Sequence, residues 1–259
     1  MIGFGARRPG LARLLMLVAA ASHPAHATDT QAVPAPQVIV VFGDSQAQGL
    51  AAAMQRAVRH GTTFKIQNRT KPGTAISQSA AYDWPAAIAA YVPDANVTTA
   101  VLMFGGNDRL PMRPESGPQL QFRTQAWHDQ YRSRVASMLK NLTSQHVRVI
   151  WVSDPVCREP RYSADMAYLN GIYRDVIAGT AATYLDIWSA IAAADGSFAA
   201  YGPGPGGATE RLRLDDGIHF TPSGYDILAA KVLAAVAAPA APAPAVKPTV
   251  AAAFTGPAH

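Results

Sequence analysis

Apolar positions along the chain follow two alternating patterns. Short runs rich in Val, Ile and Thr recur at Gln37 to Phe42, Thr63 to Gln67, Thr99 to Phe104, Val147 to Val152 and Thr183 to Ile187. Their length and composition predict β-strands. Between them, apolar residues fall at helical spacing. The clearest case begins near Thr124: Trp127, Tyr131, Val135, Met138, Leu139 and Leu142 share one face, with Arg, Lys, Gln and Ser on the other. Such a stripe packs into a core, so its aromatic residues are not read as a ligand platform. Strands apolar on both faces and alternating with helices predict a parallel sheet covered by helices on either side. In such sheets sites gather at the carboxyl ends of the strands. The stretch Ser197 to Ala208, which contains Gly202-Pro203-Gly204-Pro205-Gly206-Gly207, reads as a surface loop, neither helix nor strand.

The ends of the chain fit neither pattern. Arg7, Arg8 and Arg13 flank the start of an apolar run, Leu14 to Ala21, and Ala25-His26-Ala27 follows as a small-x-small site. This is the layout of a cleavable export signal over residues 1–27, for general secretion and not the twin-arginine route. The run is shorter than the roughly 20 residues that span a bilayer, and no other stretch competes as a membrane span. A linker over 28–36, a single domain over 37–237 and an Ala/Pro-rich, almost uncharged tail over 238–259, expected to be disordered, complete the predicted organisation.

Charge then removes one class of partner. The chain has 22 Lys and Arg against 17 Asp and Glu, and without the three signal arginines the balance is 19 to 17. That excess is too small for a nucleic-acid footprint, and no basic cluster is interleaved with aromatics. The hydrophobic fraction of 49% is ample for one core. A single cysteine, Cys157, has no partner for a disulfide within the chain and reads as a small buried hydrophobe.

Three short segments carry candidate chemistry. In "VVFGDSQAQGL" a strand gives way at Gly43 to Asp44 and Ser45, just before a helical pattern. Ser45 there is either a helix cap or a nucleophile exposed at the sheet edge, near helix amides that favour negative charge. A nucleophilic hydroxyl needs a base. His23 and His26 lie in the signal, His60 at a helix end, His128 and His146 on polar positions by the long helix, and His259 in the tail. That leaves His219, in "LDDGIHFTPSGYDILAAKVL", three residues after Asp216 and just before a helix opened by Thr221 and Pro222. A carboxylate three positions back can accept the Nδ1 proton and leave Nε2 free as base; the spacing favours Asp216 over Asp215. In "LMFGGNDRL", Asn107 follows a strand and Gly105-Gly106, and a carboxamide donor there suits an oxyanion, although the same residues also make a good turn. A further amide is available in "KPGTAIS", where Gly73 permits close approach of the backbone.

Together "FGDSQAQGL", "GGND" and "DGIHFTPSGY" resemble the motif blocks of the SGNH hydrolases, the GDSL-type esterase superfamily, over about Gln37 to Ala235. The resemblance implies a three-layer α/β/α sandwich around a mainly parallel five-stranded sheet, with no metal and no organic cofactor. It implies Ser45 as nucleophile, His219 as base, Asp216 as its orienting acid, and an oxyanion hole of the Ser45 amide, a glycine amide and the Asn107 side chain. Gln46 stands where the family's leucine usually lies, and the glycine block is blurred between Gly73 and Ala75. Within the superfamily, "YDWPAAI", "YLDIWSA" and "LRLDDGIHFTPSGY" resemble an exported bacterial subgroup of poorly defined function, some of whose broader relatives handle O-acyl groups on envelope polysaccharides.

The expected activity is therefore an exported serine esterase acting on a small-molecule or glycan-linked ester. Its rivals are an O-acyltransferase using the same residues and a non-catalytic envelope-binding protein. A metallophosphoesterase would need several histidine ligands, and a dinucleotide enzyme would need G-x-G-x-x-G after the first strand; neither pattern is present. Asp44 and Asp108 are expected to bond loop amides. Arg109, Arg158 and Arg161 lie just past strand ends, where ion pairing is a commoner role than substrate recognition.

Overall fold

The computed structural model describes residues 1–3, 5, 36–59, 63–114 and 116–239. Nearly all of the expected export signal and of the linker, together with His60 and the tail beyond Pro239, lie outside the described residues. Five strands form the main sheet: β1 (Gln37–Gly43), β2 (Phe64–Thr70), β3 (Thr99–Met103), β4 (Arg148–Val152) and β5 (Thr183–Leu185). Their order is β2-β1-β3-β4-β5, and every pairing is parallel. Among the described residues six α-helices accompany them: α1 (Ser45–Ala57), α2 (Trp84–Tyr91), α3 (Gln125–Thr143), α4 (Pro160–Ile177), the short α5 (Trp188–Ile191) and α6 (Pro222–Ala237).

The period of two along each strand creates the layers. Ile39, Val41, Val101, Met103, Ile150 and Val152 point to one face and pack with α1, α5 and α6. Val40, Phe42, Ala100, Leu102, Val149 and Trp151 point to the other, toward α2, α3 and α4. None of these twelve side chains is more than 2% exposed. Each large one contributes roughly 1.5–3 kcal/mol by leaving water, which makes this double-sided burial the main reason the sandwich holds. The six stripe residues of α3 are all buried, and the hydroxyl of Thr124 accepts from the Trp127 amide at its start. Among the described residues no helix is long and apolar enough to cross a membrane.

The expected loop at 197–208 is corrected by the structure. Tyr201–Pro203 (β6) and Thr209–Arg211 (β7) form a separate antiparallel ribbon, with only the turn between them irregular. A two-stranded ribbon has no central strand, so the missing amide of Pro203 costs no inner ladder bond.

Strand order locates the site. β1 lies between β2 and β3; the chain leaves it over one face through α1 and reaches β3 over the other through α2. The crossovers diverge there, and a crevice opens at the carboxyl ends of β1 and β3.

Candidate active site

β1 ends at Gly43, where φ is +145° and an added Cβ would lie 2.0 Å from the Met103 carbonyl oxygen. Only glycine lets the end of β1 pass so close to β3. Asp44 follows as the cap of α1: its carboxylate accepts from the Gln46 amide at 2.9 Å. Burial pushes the Asp44 carboxyl up to about 6, against the pull of that amide and of His219. Because the aspartate takes the capping role, Ser45 becomes the first residue of the helix and its hydroxyl is available elsewhere. That hydroxyl lies 2.7 Å from Nε2 of His219, 174 positions away in the chain.

His219 sits in a closed turn. Arg213 and Phe220 form an antiparallel bridge, and the Leu214 amide donates to the His219 carbonyl at 2.9 Å. Inside the turn one oxygen of Asp216 accepts from the amides of Ile218 (2.8 Å) and His219 (2.9 Å), while the other lies 2.7 Å from Nδ1 of His219. Partial burial raises the Asp216 carboxyl, but the two amides and the imidazole outweigh it and hold it below the usual range. Nδ1 facing a carboxylate is the donor nitrogen, so Nε2 is an acceptor toward Ser45. Asp215 points elsewhere, to Arg211.

Asn107 follows β3 and its Nδ2 donates to the Thr74 carbonyl at 3.0 Å. One amide hydrogen is thereby spent on fixing the carboxamide, and the other remains for a ligand. The same bond ties the "KPGTAIS" loop to the end of β3. In that loop Gly73 is exposed with φ +74°, whereas Ala75 is only 2% exposed. Asp108 secures the loop from below by accepting from the Ser77 amide at 2.7 Å. An open cleft of about 520 Å³ passes Ser45 and His219, bounded by Gln48, Asn68, Leu214 and Tyr225. Among the described residues no group of three or more His, Cys, Asp or Glu side chains is placed to hold a metal ion.

Residues 38–235 match the family described as "Protein of unknown function (DUF459)". The chain belongs to the DUF459 family. No curated protein sequence matches it. Its fold is that of the GDSL-type SGNH hydrolases. A GDSL-like lipase from Bacteroides thetaiotaomicron superposes with a TM-score of 0.55 at 16% identity, covering 80% of this chain and 90% of the lipase. TesA gives 0.52 at 19% identity over 78% of this chain and 98% of TesA. A variant of an acetylxylan esterase from Geobacillus stearothermophilus gives 0.50 at 13% identity, over 80% of this chain and 97% of that one.

Two residues that support the site in this DUF459 chain, Arg213 and Asp154, escape the sequence reading. Arg213 is fully buried, and its guanidinium donates to the carbonyls of Val156 (2.7 Å), Gly217 (3.3 Å) and Ile218 (2.9 Å). The last two lie between Asp216 and His219, so this one side chain sets the shape of their turn. The rings of Phe220 and Phe198 lie 4.3 and 5.0 Å from its central carbon. Asp154, just past β4, is buried beneath Gly105, where an added Cβ would fall 1.8 Å from its Oδ2. Burial pushes Asp154 well up, and Asp108 up to about 7, with Asp44 adding repulsion to each. A signal existed for Asp154: an acid follows each of the three central strands, at Asp44, Asp108 and Asp154. No comparable signal marked Arg213.

Of the three arginines past the strand ends, Arg109 and Arg158 are engaged within the fold. Arg109 stacks on Tyr162 at 3.7 Å and meets Asp165 at 3.4 Å, and Arg158 donates to the Asp215 carbonyl at 2.5 Å. Cys157 is 2% exposed, and burial pushes its thiol up to about 12, as suits a packing residue.

Proposed function

We propose that this protein is an exported serine esterase acting on short acyl esters of small molecules or glycans. The observation that carries the proposal is the continuous relay from Ser45 Oγ to His219 Nε2 (2.7 Å) and from His219 Nδ1 to Asp216 (2.7 Å) at the carboxyl edge of the sheet. In the proposed reaction His219 takes the Ser45 proton as Oγ attacks the ester carbonyl. The carbonyl oxygen becomes an oxyanion held by the amides of Ser45 and Gly73 and by Asn107 Nδ2. Gly73 is preferred to Ala75 because it is exposed where Ala75 is buried. The intermediate collapses to an acyl-serine as His219 returns the proton to the departing alkoxide. Water, activated by His219, then releases the acid and restores Ser45.

Support for a short acyl group on a carbohydrate comes from the acetylxylan esterase that shares the fold. Export rests on the arginine, apolar and Ala-His-Ala pattern of residues 1–27. The test is hydrolysis of p-nitrophenyl esters from acetate to octanoate by the wild type and Ser45→Ala, with labelling by an organophosphonate. Turnover and labelling that both vanish in a folded Ser45→Ala protein support the reading. Equal rates in the two proteins overturn it.

A further inference from the structure

The outer end of the edge strand β2 carries two cations that the chemistry above leaves unused. The guanidinium carbon of Arg69 lies 4.4 Å from the centre of the Tyr91 ring, and Nζ of Lys71 lies 4.1 Å from that of Tyr82. Both rings are held in place: Tyr91 stands edge-on to Phe42 and its hydroxyl donates to Gln67, and Tyr82 stands edge-on to Trp84. Both cations are exposed, and among the described residues neither has a carboxylate partner, unlike Arg56, Arg109, Arg123 and Arg211. A ring face orients a cation without cancelling its charge. The cleft between these groups measures about 530 Å³, and among the described residues no acidic side chain lines it.

This cleft adjoins the nucleophile. Thr70 pairs in register with Gly43, and the Lys71 amide donates at 2.8 Å to the carbonyl of Gly43, two residues before Ser45. Asn68 lines both this cleft and the one at Ser45 and His219. From Lys71 the chain runs through Pro72 directly into Gly73.

We propose that the cleft is a subsite for an anionic part of the substrate, a sugar unit bearing a carboxylate or a phosphate, held by Arg69 and Lys71 while the ester lies at Ser45. The sugar class follows from the setting: apolar lining from Tyr82, Trp84 and Tyr91 for its C–H surface, Asn68 and Thr70 for its hydroxyls, and two cations for its charge. The inference rests on the esterase reading for the position of the ester, but not for the binding of the anion.

Two experiments test it. The first compares kcat/KM at low ionic strength for an acetylated uronic-acid oligosaccharide, an acetylated sugar phosphate and an acetylated neutral oligosaccharide. The wild type should favour one or both anionic substrates about tenfold, a preference that fades with salt. In Arg69→Gln/Lys71→Gln the preference should fall toward one. Equal rates on charged and neutral substrates in the wild type, or a preference that survives in the variant, overturn the proposal. The second is calorimetric binding of unacetylated trigalacturonate and of glucose 6-phosphate to both proteins. Binding by the wild type that is lost in the variant supports the subsite, and the ligand that binds names the anion. Failure of both anions to bind the wild type at millimolar concentration overturns it. If p-nitrophenyl acetate is not hydrolysed but the anion binds, the esterase reading falls and the subsite stands; the reverse pair of results does the opposite.

Discussion

Replacing Asp216 with Asn tests the relay at its most sensitive point. The carboxylate uses both oxygens: one accepts from the amides of Ile218 and His219, the other faces Nδ1 of His219. A carboxamide has a single acceptor oxygen. Turned toward Nδ1, it would set its NH2 against two backbone donors, each costing about 1 kcal/mol or more if left unbonded. The favoured orientation therefore keeps the oxygen on the amides and points NH2 at Nδ1. That places the imidazole proton on Nε2, which then donates to Ser45 and cannot take its proton. With about 2 kcal/mol favouring this arrangement, the competent tautomer falls to roughly one molecule in thirty.

Loss of the charge adds to this. The Asp216 side chain is 42% exposed, so its attraction for a developing imidazolium about 4 Å away is worth only about 1–2 kcal/mol in a nearly aqueous dielectric. The two effects together predict a fall in kcat of roughly 10²- to 10³-fold. Asp216→Ala, which leaves Nδ1 free to donate to water, should be at least as active as Asp216→Asn. Initial rates on p-nitrophenyl acetate, with thermal melts as a check on folding, decide the matter. An Asp216→Asn enzyme within about threefold of the wild type, or clearly faster than Asp216→Ala, would refute the tautomer argument.

Arg213→Met should lower stability by about 2–4 kcal/mol, because the carbonyls of Val156, Gly217 and Ile218 lose charged donors. It should lower kcat more than it raises KM, and Arg213→Lys should recover only part of the loss, since an ammonium cannot fork. A folded Met variant with wild-type kcat would show that the turn holds its shape unaided. Asp44 and Asp108 titrate near 6 and 7 in the fold against 3.8 in the unfolded chain, chiefly through burial. The native state thus keeps protons that the unfolded chain releases, and stability should decline as pH rises from about 4 to about 7 and go on declining beyond it, because Asp154, pushed well up by burial, still holds its proton. Asp216, held below the usual range, acts in the opposite sense and only under more acidic conditions. Asp108→Asn should flatten the decline and be the more stable protein at about pH 8, by a margin on the order of 4 kcal/mol. Urea midpoints at about pH 5 and pH 8 measure this, and an unchanged slope would mean that Asp108 is ionised in the fold.

Much of the architecture was legible in the chain because its signals are local. The six-residue stripe of α3, the five apolar runs and the Thr221-Pro222 helix start depend on neighbours within a few positions, and all lie where the spacing placed them. The Asp216 to His219 contact was equally readable, since it closes within one turn. The ribbon at 201–211 was not, because strand formation there depends on a partner and not on the propensity of Gly and Pro. Whether Ser45 caps its helix was undecidable locally, as Asp44 competes for the same amides; only the structure gives the cap to Asp44 and the hydroxyl to His219. Arg213 had no sequence signature, because a buried arginine and an exposed one look alike until the carbonyls it serves are brought together. Arg69 and Lys71 acquire a shared role only through the rings of Tyr91 and Tyr82, which come from a different segment. The sequence by itself determined which residues had the chemistry and which elements would carry them. The meeting of Ser45 with a histidine 174 positions away was decided by tertiary structure alone, since it needs the strand order β2-β1-β3-β4-β5 and the packing of α1 on α6, and no local interaction spans that distance.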